Sequence, residues 1–167
     1  MPKYNDRDQA HPIDYLQDEF QLAVDFGLDC IEFILDYYDF KNNPLMTTYG
    51  RQHIRSVSEQ TGVRVLSVCA DYFMKAPLHA DNEQTVLQSV DVLVKLIKAA
   101  VELKIKDIVI PCVDGSSIQN ERLQDRFKET LNTIVPEAER YKVNLSLETD
   151  LNPSQFENLL TVLDSPR

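Results

Sequence analysis

The chain has 167 residues, of which 43% are hydrophobic, so it is long enough to bury one core without disulfides or a structural metal. Its 27 acidic residues outnumber its 17 lysines and arginines, and the formal net charge of -10 would repel a polyanion. We therefore expect one domain of ordinary size, with no nucleic acid as a partner.

The cysteines and the apolar runs bear on the cellular compartment. Cys30, Cys69 and Cys112 are widely spaced and match no disulfide or zinc-ligand pattern. Each lies in or beside an apolar run, where a free thiol in a reducing compartment behaves as a small hydrophobe. The N-terminus has no apolar run typical of a signal peptide, and no later run approaches the ~20 residues that span a bilayer. We therefore expect a cytoplasmic protein without a membrane partner.

Amphipathic helical patterns alternate with short apolar runs that are typical of buried strands. Residues 1–12 are polar and aperiodic, which predicts an N-terminal arm or loop before a domain over residues 13–167. The predicted elements are a helix that ends at Gly27, a strand at 30–34, a helix at 47–60, a strand at 63–70, a helix around 86–101, a strand at 107–113, a helix from 123 to about 135, a strand at 143–148 and a last helix.

Single residues mark where some of these helices begin or bend. Asp14 is a candidate N-cap of the first helix, and Asn152 followed by Pro153 is a candidate cap and first turn of the last one. Pro136 is expected to kink the fourth helix, because proline cannot donate a hydrogen bond to the carbonyl four residues back.

The helices are predicted to end at Gly27, Gly62, Lys104 and Lys142, about 35 to 42 residues apart. Alternation of helix and strand at this period predicts right-handed crossovers and a parallel sheet, and hence an α/β fold. Two architectures fit. One is a partial eight-stranded TIM barrel of four parallel strands with outer helices, and the other is a complete doubly wound open sheet.

Acidic residues occur near the carboxyl ends of all four predicted strands, where the active sites of parallel α/β folds lie. They are Glu32, Asp36, Asp71, Asp114, Glu148 and Asp150. Without Cys or His ligand spacing, such a set suits a hard divalent cation such as Mg²⁺ or Mn²⁺. Aspartate is also a common turn former after strands, and this alternative applies to Asp36, Asp71 and Asp114.

Three residues at this end of the strands are considered individually as candidates for the site. Glu148 shares a strand face with Ser146 and ends a buried strand, which makes it a candidate functional carboxylate. Glu32 lies inside an apolar strand, so we expect a polar partner or a wet cavity beside it, and a structural role is as consistent as catalysis. Of the histidines, only His79 falls at this end, where a surface or loop position is expected.

A family resemblance is carried by three stretches in order along residues 13–164. They are Tyr15-Leu16-Gln17-Asp18-Glu19-Phe20 with Gly27-Leu28-Asp29-Cys30-Ile31-Glu32-Phe33, Thr61-Gly62-Val63-Arg64-Val65-Leu66-Ser67-Val68, and Leu145-Ser146-Leu147-Glu148. Their sequence and spacing resemble the xylose isomerase-like TIM barrel superfamily. The sugar-phosphate isomerase and epimerase branch is closest, which includes hexulose-6-phosphate isomerases and ribulose-5-phosphate 3-epimerases.

The resemblance implies that the visible strands are strands two to five of the barrel and that residues 1–12 correspond to the loop after the first. It implies a metal-binding and catalytic glutamate at the end of strand five, which is Glu148. The family's remaining ligands, an aspartate, a histidine and a glutamate on strands six to eight, have no counterpart here. The metal would be Mn²⁺, Mg²⁺, Co²⁺ or Zn²⁺, and we assign Glu32, Asp71 and Asp114 as candidate substrate-binding residues.

The leading hypothesis is a segment of a divalent-metal-dependent sugar or sugar-phosphate isomerase or epimerase. It would work by proton abstraction next to a carbonyl through an enediolate, and the isolated chain is expected to be inactive, with a homo-oligomer as a candidate assembly. One alternative is a non-catalytic doubly wound regulatory or binding domain. Another is a DNA-repair endonuclease of the same superfamily, which would show zinc-binding histidines and a basic face, and neither is visible.

Overall fold

The computed structural model describes residues 15–167, in which helices and strands alternate along the chain. The helices are α1 (Leu16–Asp25), α2 (Thr48–Thr61), α3 (Tyr72–Lys75), α4 (Glu83–Leu103), α5 (Glu121–Asn132), α6 (Val135–Tyr141) and α7 (Pro153–Leu163). The strands are β1 (Cys30–Ile34), β2 (Arg64–Cys69), β3 (Asp107–Cys112) and β4 (Asn144–Thr149). The predicted arm and the Asp14 cap lie outside the described residues. None of the described helices is long and apolar enough to cross a membrane.

The four strands form one parallel sheet in the order β1-β2-β3-β4. Strands that follow one another in sequence are therefore neighbours in space, as in an arc of a barrel, whereas a doubly wound sheet reverses its order near the first strand. The prediction of a partial barrel is confirmed. The alternative, a complete doubly wound sheet, is wrong for this reason.

The outer face of the sheet is buried. Its residues include Phe33, Val68, Ile108, Ile110 and Leu145, whose exposed fractions are 8% or less. They form one core cluster with apolar residues of the helices, namely Leu16, Phe20, Ile54, Val57, Leu93, Leu96, Phe127 and Leu131. Burial of this face against the helices supplies the main hydrophobic stabilisation of the arc.

The inner face of the sheet is polar and partly open to solvent. The strand register aligns Glu32 with Ser67, and Pro111 with Glu148, on this face. Both glutamates are exposed, and Ser67 is half-buried. Side chains alternate between the two faces of a strand, so the same pairing that buries the outer face turns these carboxylates inward.

The helices differ from the sequence prediction in two places. Pro136 lies in the first turn of the separate helix α6 and does not kink a longer one, because α5 ends at Asn132. A proline fits there, since the first-turn N–H groups have no helical acceptor. The helix α3, four residues long, was not predicted. The cap of α7 is confirmed, and Asn152 and Gln155 form a capping box.

His79 lies in a loop, as predicted, but is buried and not on the surface, with an exposed fraction of 5%. Its ring meets that of Phe127 at 6.0 Å in an edge-on arrangement, and its Nδ1 atom has no hydrogen-bond partner. Burial, together with the Arg126 charge, lowers the pKa of His79 from 6.5 to about 4, although Asp81 opposes the shift. The folded protein therefore holds this imidazole neutral near pH 7.

We expect His79 to make folding stability depend on pH in mildly acidic solution. The unfolded chain protonates this histidine at a higher pH than the folded chain does, so the free energy of unfolding falls as pH drops from 6.5 toward about 4. Urea denaturation measures the free energy of unfolding at about pH 7.5 and at about pH 4.5. The decrease in this free energy between the two pH values should be about 2 kcal/mol smaller in His79→Phe than in the wild-type chain. An equal decrease in the two proteins would contradict this account.

The open inner face and the two sheet edges predict self-association of the isolated chain. Within the described residues, β1 and β4 each pair on one side only, which leaves a row of main-chain donors and acceptors at each edge. Light scattering should therefore detect dimers or larger species. Val109→Lys, which adds charge to the half-buried inner face, should reduce them. A monodisperse monomer would be the contrary result.

Candidate functional site

The carboxyl ends of β1 and β2 are held together by main-chain hydrogen bonds beyond the strands. The Leu35 N–H donates to the Cys69 carbonyl at 2.9 Å, and the Tyr72 N–H donates to the Leu35 carbonyl at 2.8 Å. Asp36 directly follows Leu35, and Asp71 directly precedes Tyr72, so these bonds fix the backbone beside both acids. Elements of this kind place side chains more precisely than free loops do.

The loop after β1 is fixed by a buried asparagine. The Asn43 side chain donates to the Ile34 carbonyl at 2.9 Å and accepts from the Leu45 N–H at 3.0 Å. Asn43 is 5% exposed, so both bonds are shielded from water. They hold the ends of the segment that carries Asp36 and Tyr38.

A cleft of about 320 Å³, which we call the carboxyl-end cleft, opens where the strands end. Its lining residues come from the ends of all four strands and from α3, and they are Asp36, Tyr38, Asp71, Met74, Lys75, Pro111, Val113 and Glu148. The structure thus brings together Glu148 and Asp71 of the sequence-predicted site residues, with Asp36 beside them. Glu32 and Asp114 do not line this cleft.

Asp71 is the acid of this cleft whose chemistry is most altered. Burial raises the pKa of its carboxyl group, and the charges of Asp36 and Glu32 raise it further, while a hydrogen bond from Cys69 opposes them. The Cys69 Sγ atom donates to Asp71 Oδ1 at 3.1 Å. Asp71 can therefore keep a proton at a higher pH than an ordinary aspartate, as a general acid or a hydrogen-bond donor requires.

Cys69 lies behind Asp71 on the inner face. Burial raises the pKa of its thiol strongly, and Asp71, Glu32 and Glu148 raise it further. A thiol that stays protonated is a donor and not a nucleophile. Both Glu32 and Glu148 act on this thiol, Glu32 from β1 and Glu148 from β4, on either side of β2.

Glu148 and Glu32 lie at different positions along their strands on the inner face. Glu148 is next to the last residue of β4, opposite Pro111, with an exposed side chain in the carboxyl-end cleft. Glu32 lies in the middle of β1 and accepts a hydrogen bond from Ser67 Oγ at 2.6 Å. The polar partner expected for Glu32 is thereby confirmed, and its part in substrate binding stays a prediction.

Asp114 and Asp150 lie in loops at the carboxyl end of the sheet. Asp114 is exposed, has a left-handed backbone with φ of 50°, and begins a 3₁₀ turn that ends at Ser116. Asp150 accepts from Ser117 Oγ at 3.0 Å through its side chain. The turn-forming alternative thus describes Asp114 in this structure, and its assignment to substrate binding stays a prediction.

The described residues do not form a metal site by themselves. In residues 15–167, no three His, Cys, Asp or Glu side chains are grouped so that they could hold a metal ion. Of the cleft acids, Asp71 accepts a hydrogen bond from Cys69, and burial raises its pKa, which disfavours the ionised form that a metal ligand must have. Glu148 offers one carboxylate, which does not complete the ligand set of the predicted divalent cation.

Five lining residues were not predicted, namely Tyr38, Met74, Lys75, Pro111 and Val113. Met74 and Lys75 are on α3, which is too short to give a periodic signal. Two buried aromatic residues, Tyr72 and Phe73, directly follow Asp71, and this pair was the one available signal for an ordered segment. The approach of α3 to the cleft depends on contacts between distant loops, which periodicity does not report.

Two other clefts lie away from the strand ends. The larger, about 670 Å³, lies between the Phe40–Met46 segment and α4, and it includes Asp91 and Lys95, which pair with each other at 2.6 Å. A smaller one of about 270 Å³ lies at the amino ends of the strands, beside Arg64 and Lys104. Neither contains an acid of the predicted site.

Comparison with known proteins agrees with this geometry. L-ribulose-5-phosphate 3-epimerase UlaE of Salmonella heidelberg (strain SL476) is 29% identical over 129 residues, which are 76% of this chain and 45% of that protein. UlaE of Salmonella paratyphi B (strain ATCC BAA-1250 / SPB7) is 28% identical over 133 residues, 78% of this chain and 47% of that protein. The chain thus spans about half the length of the curated relatives it matches.

A solved structure shows the same fold. The 3-keto-D-glucoside 4-epimerase YcjR from E. coli superposes with a TM-score of 0.71 at 14% identity, over 94% of this chain and 62% of that one. The family described as xylose isomerase-like TIM barrel matches residues 20–166. Because that match covers most of the sequence, the chain belongs to the xylose isomerase-like TIM barrel family.

Proposed function

We propose that this chain contributes strands two to five of a sugar or sugar-phosphate epimerase or isomerase. The observation that carries the proposal is the convergence of Glu148, Asp71 and Asp36 on one cleft at the carboxyl ends of parallel strands. The curated relatives, named L-ribulose-5-phosphate 3-epimerases, support a ketose or its phosphate as the substrate class. The net charge of -10 gives no support to an endonuclease.

The reaction breaks a C–H bond next to a carbonyl and forms a new one. A base takes the proton, the electron pair of the C–H bond moves toward the carbonyl oxygen, and an enediol or enediolate results. Return of a proton to the other face of the same carbon gives the epimer, and return to the neighbouring carbon gives the isomer. Epimerisation therefore needs a proton-carrying group on each face of the substrate.

In this proposal Glu148 is the group on one face, because its carboxylate is exposed and projects into the cleft. Asp71, with its raised pKa, donates a hydrogen bond to a substrate oxygen, and Asp36 accepts hydrogen bonds from substrate hydroxyl groups. The second proton-carrying group comes from a part of the barrel outside these four strands. The cleft thus holds one side of the substrate.

Negative charge that develops on the carbonyl oxygen needs a positive partner. A bound Mn²⁺, Mg²⁺, Co²⁺ or Zn²⁺ would supply it as a Lewis acid. Glu148 is the residue of this chain that we propose to hold such an ion, and its further ligands come from outside the described residues.

We also propose the cytosol as the compartment of this activity. All three cysteines are free thiols, and Cys112 is buried in the core while Cys69 is half-buried on the inner face. Free thiols that are spread through a fold are typical of a reducing compartment.

Glu148→Gln is the most informative single substitution in a polypeptide that carries these strands with the rest of the barrel. It removes a charge and a base while the side chain keeps its size, so turnover of the ketose phosphate should fall by roughly a thousandfold. Glu129→Gln, an exposed carboxylate of α5, is the matched control and should leave turnover unchanged. Full turnover of Glu148→Gln with saturating Mn²⁺ would exclude Glu148 from the mechanism.

The 167-residue chain alone should show no appreciable isomerase or epimerase activity. Its described residues include one exposed carboxylate that matches the family's site, Glu148. They include neither a second proton carrier opposite it nor a complete set of metal ligands. The assay is a panel of ketose phosphates with Mn²⁺, Mg²⁺, Co²⁺ and Zn²⁺, followed by solvent proton exchange at the carbon next to the carbonyl. Metal-dependent exchange that Glu148→Gln abolishes would show that the chain is active by itself.

A further inference from the structure

Lys75 is the one basic side chain among the described residues that line the carboxyl-end cleft. The three acids in that lining are Asp36, Asp71 and Glu148. The charged side chains of this lining are therefore three acids and the Lys75 ammonium group. Such an uneven distribution of charge distinguishes one end of a bound molecule from the other.

Three other cations of residues 15–167 have neighbours of their own. Arg122 and Arg126 both donate to Asp81, at 2.9 and 2.7 Å. Lys41 lies 6.0 Å from the centre of the Phe40 ring and lines the larger cleft beside α4.

Lys75, by contrast, forms no ion pair with any carboxylate of residues 15–167. Its exposed ammonium is thus available to a molecule in the cleft.

The helix that carries Lys75 is held firmly against the core. Tyr72 and Phe73 are 0% and 1% exposed. The Ala76 carbonyl, which directly follows Lys75, accepts a hydrogen bond from Ser89 Oγ at 2.8 Å, and that serine is buried. The backbone on both sides of Lys75 is therefore fixed, and the side chain extends from a defined point at the mouth of the cleft.

Ser116 joins α3 to the end of β3. Its hydroxyl lies 3.3 Å from the sulfur of Met74 and 3.0 Å from the Pro111 carbonyl oxygen, and the residue is 1% exposed. Met74 and Pro111 are both lining residues of the cleft. The distance from α3 to the strand ends is thus set by a buried contact.

These observations assign a role to Lys75: we infer that it binds the phosphate of a sugar phosphate and makes the cleft prefer this substrate to the neutral sugar. A phosphate near Asp36 and Glu148 would be repelled unless a cation took it up, and lysine binds phosphate as a point charge. Sugar hydroxyl groups, which donate hydrogen bonds, suit the carboxylate side of the cleft. The inference rests on the proposed function and adds to it the residue that selects the phosphorylated sugar.

The test compares three ligands of the 167-residue chain at constant ionic strength: ribulose 5-phosphate, ribulose and ribonate. Dissociation constants come from chemical-shift titrations of the ¹⁵N-labelled chain. Ribulose 5-phosphate should bind roughly tenfold more tightly than ribulose, since one charge-assisted contact is gained. Lys75→Gln should remove this difference, and Lys41→Gln, which changes the net charge equally, should keep it.

Each contrary result has its own meaning. If ribulose and ribulose 5-phosphate bind equally at the carboxyl-end cleft, or Lys75→Gln binds both as the wild-type chain does, the role of Lys75 is wrong while the proposed function stands. If ribonate binds as tightly as ribulose 5-phosphate, the cleft takes a carboxylate and the phosphate assignment is wrong. If no sugar binds at this cleft, both the inference and the proposed function fail.

Discussion

Parallel pairing of four consecutive strands is the constraint on which the candidate site depends. Each strand runs in the same direction as its neighbour, so every connection must return past the sheet. All carboxyl ends therefore meet at one end of the sheet. The register between β3 and β4 puts Glu148 opposite Pro111 on the inner face. A shift of one residue would turn Glu148 toward the helices and expose Leu147.

The acidic side chains at this end of the sheet influence the pKa values of their neighbours. Asp36 and Glu32 raise the pKa of Asp71, which burial has already raised. Asp71, Glu32 and Glu148 help to keep the Cys69 thiol protonated. An acid with a raised pKa beside an exposed carboxylate allows the cleft to offer a donor as well as an acceptor. This combination suits a substrate that has both a carbonyl oxygen and an acidic C–H bond.

Much of this fold could be predicted from the sequence, because strands and amphipathic helices leave periodic signals that depend on local neighbours. The order of the elements follows from those signals, and so does the place of Glu148 at a strand end. The turn at Asp114 was one of two alternatives for that residue. The separation of α6 at Pro136 could not be predicted, because it depends on the local backbone geometry where α5 ends. Lys75 was missed because the contact of α3 with the end of β3 joins residues far apart in sequence.

The proposed function requires that the sugar binds in the carboxyl-end cleft and in neither of the other two clefts. A map of amide chemical-shift changes on addition of ribulose 5-phosphate tests it directly, since the three clefts lie in separate parts of the structure. The largest changes should fall at Asp36, Asp71 and Glu148. Changes centred on Arg64 and Lys104, or along α4 beside the larger cleft, would contradict it.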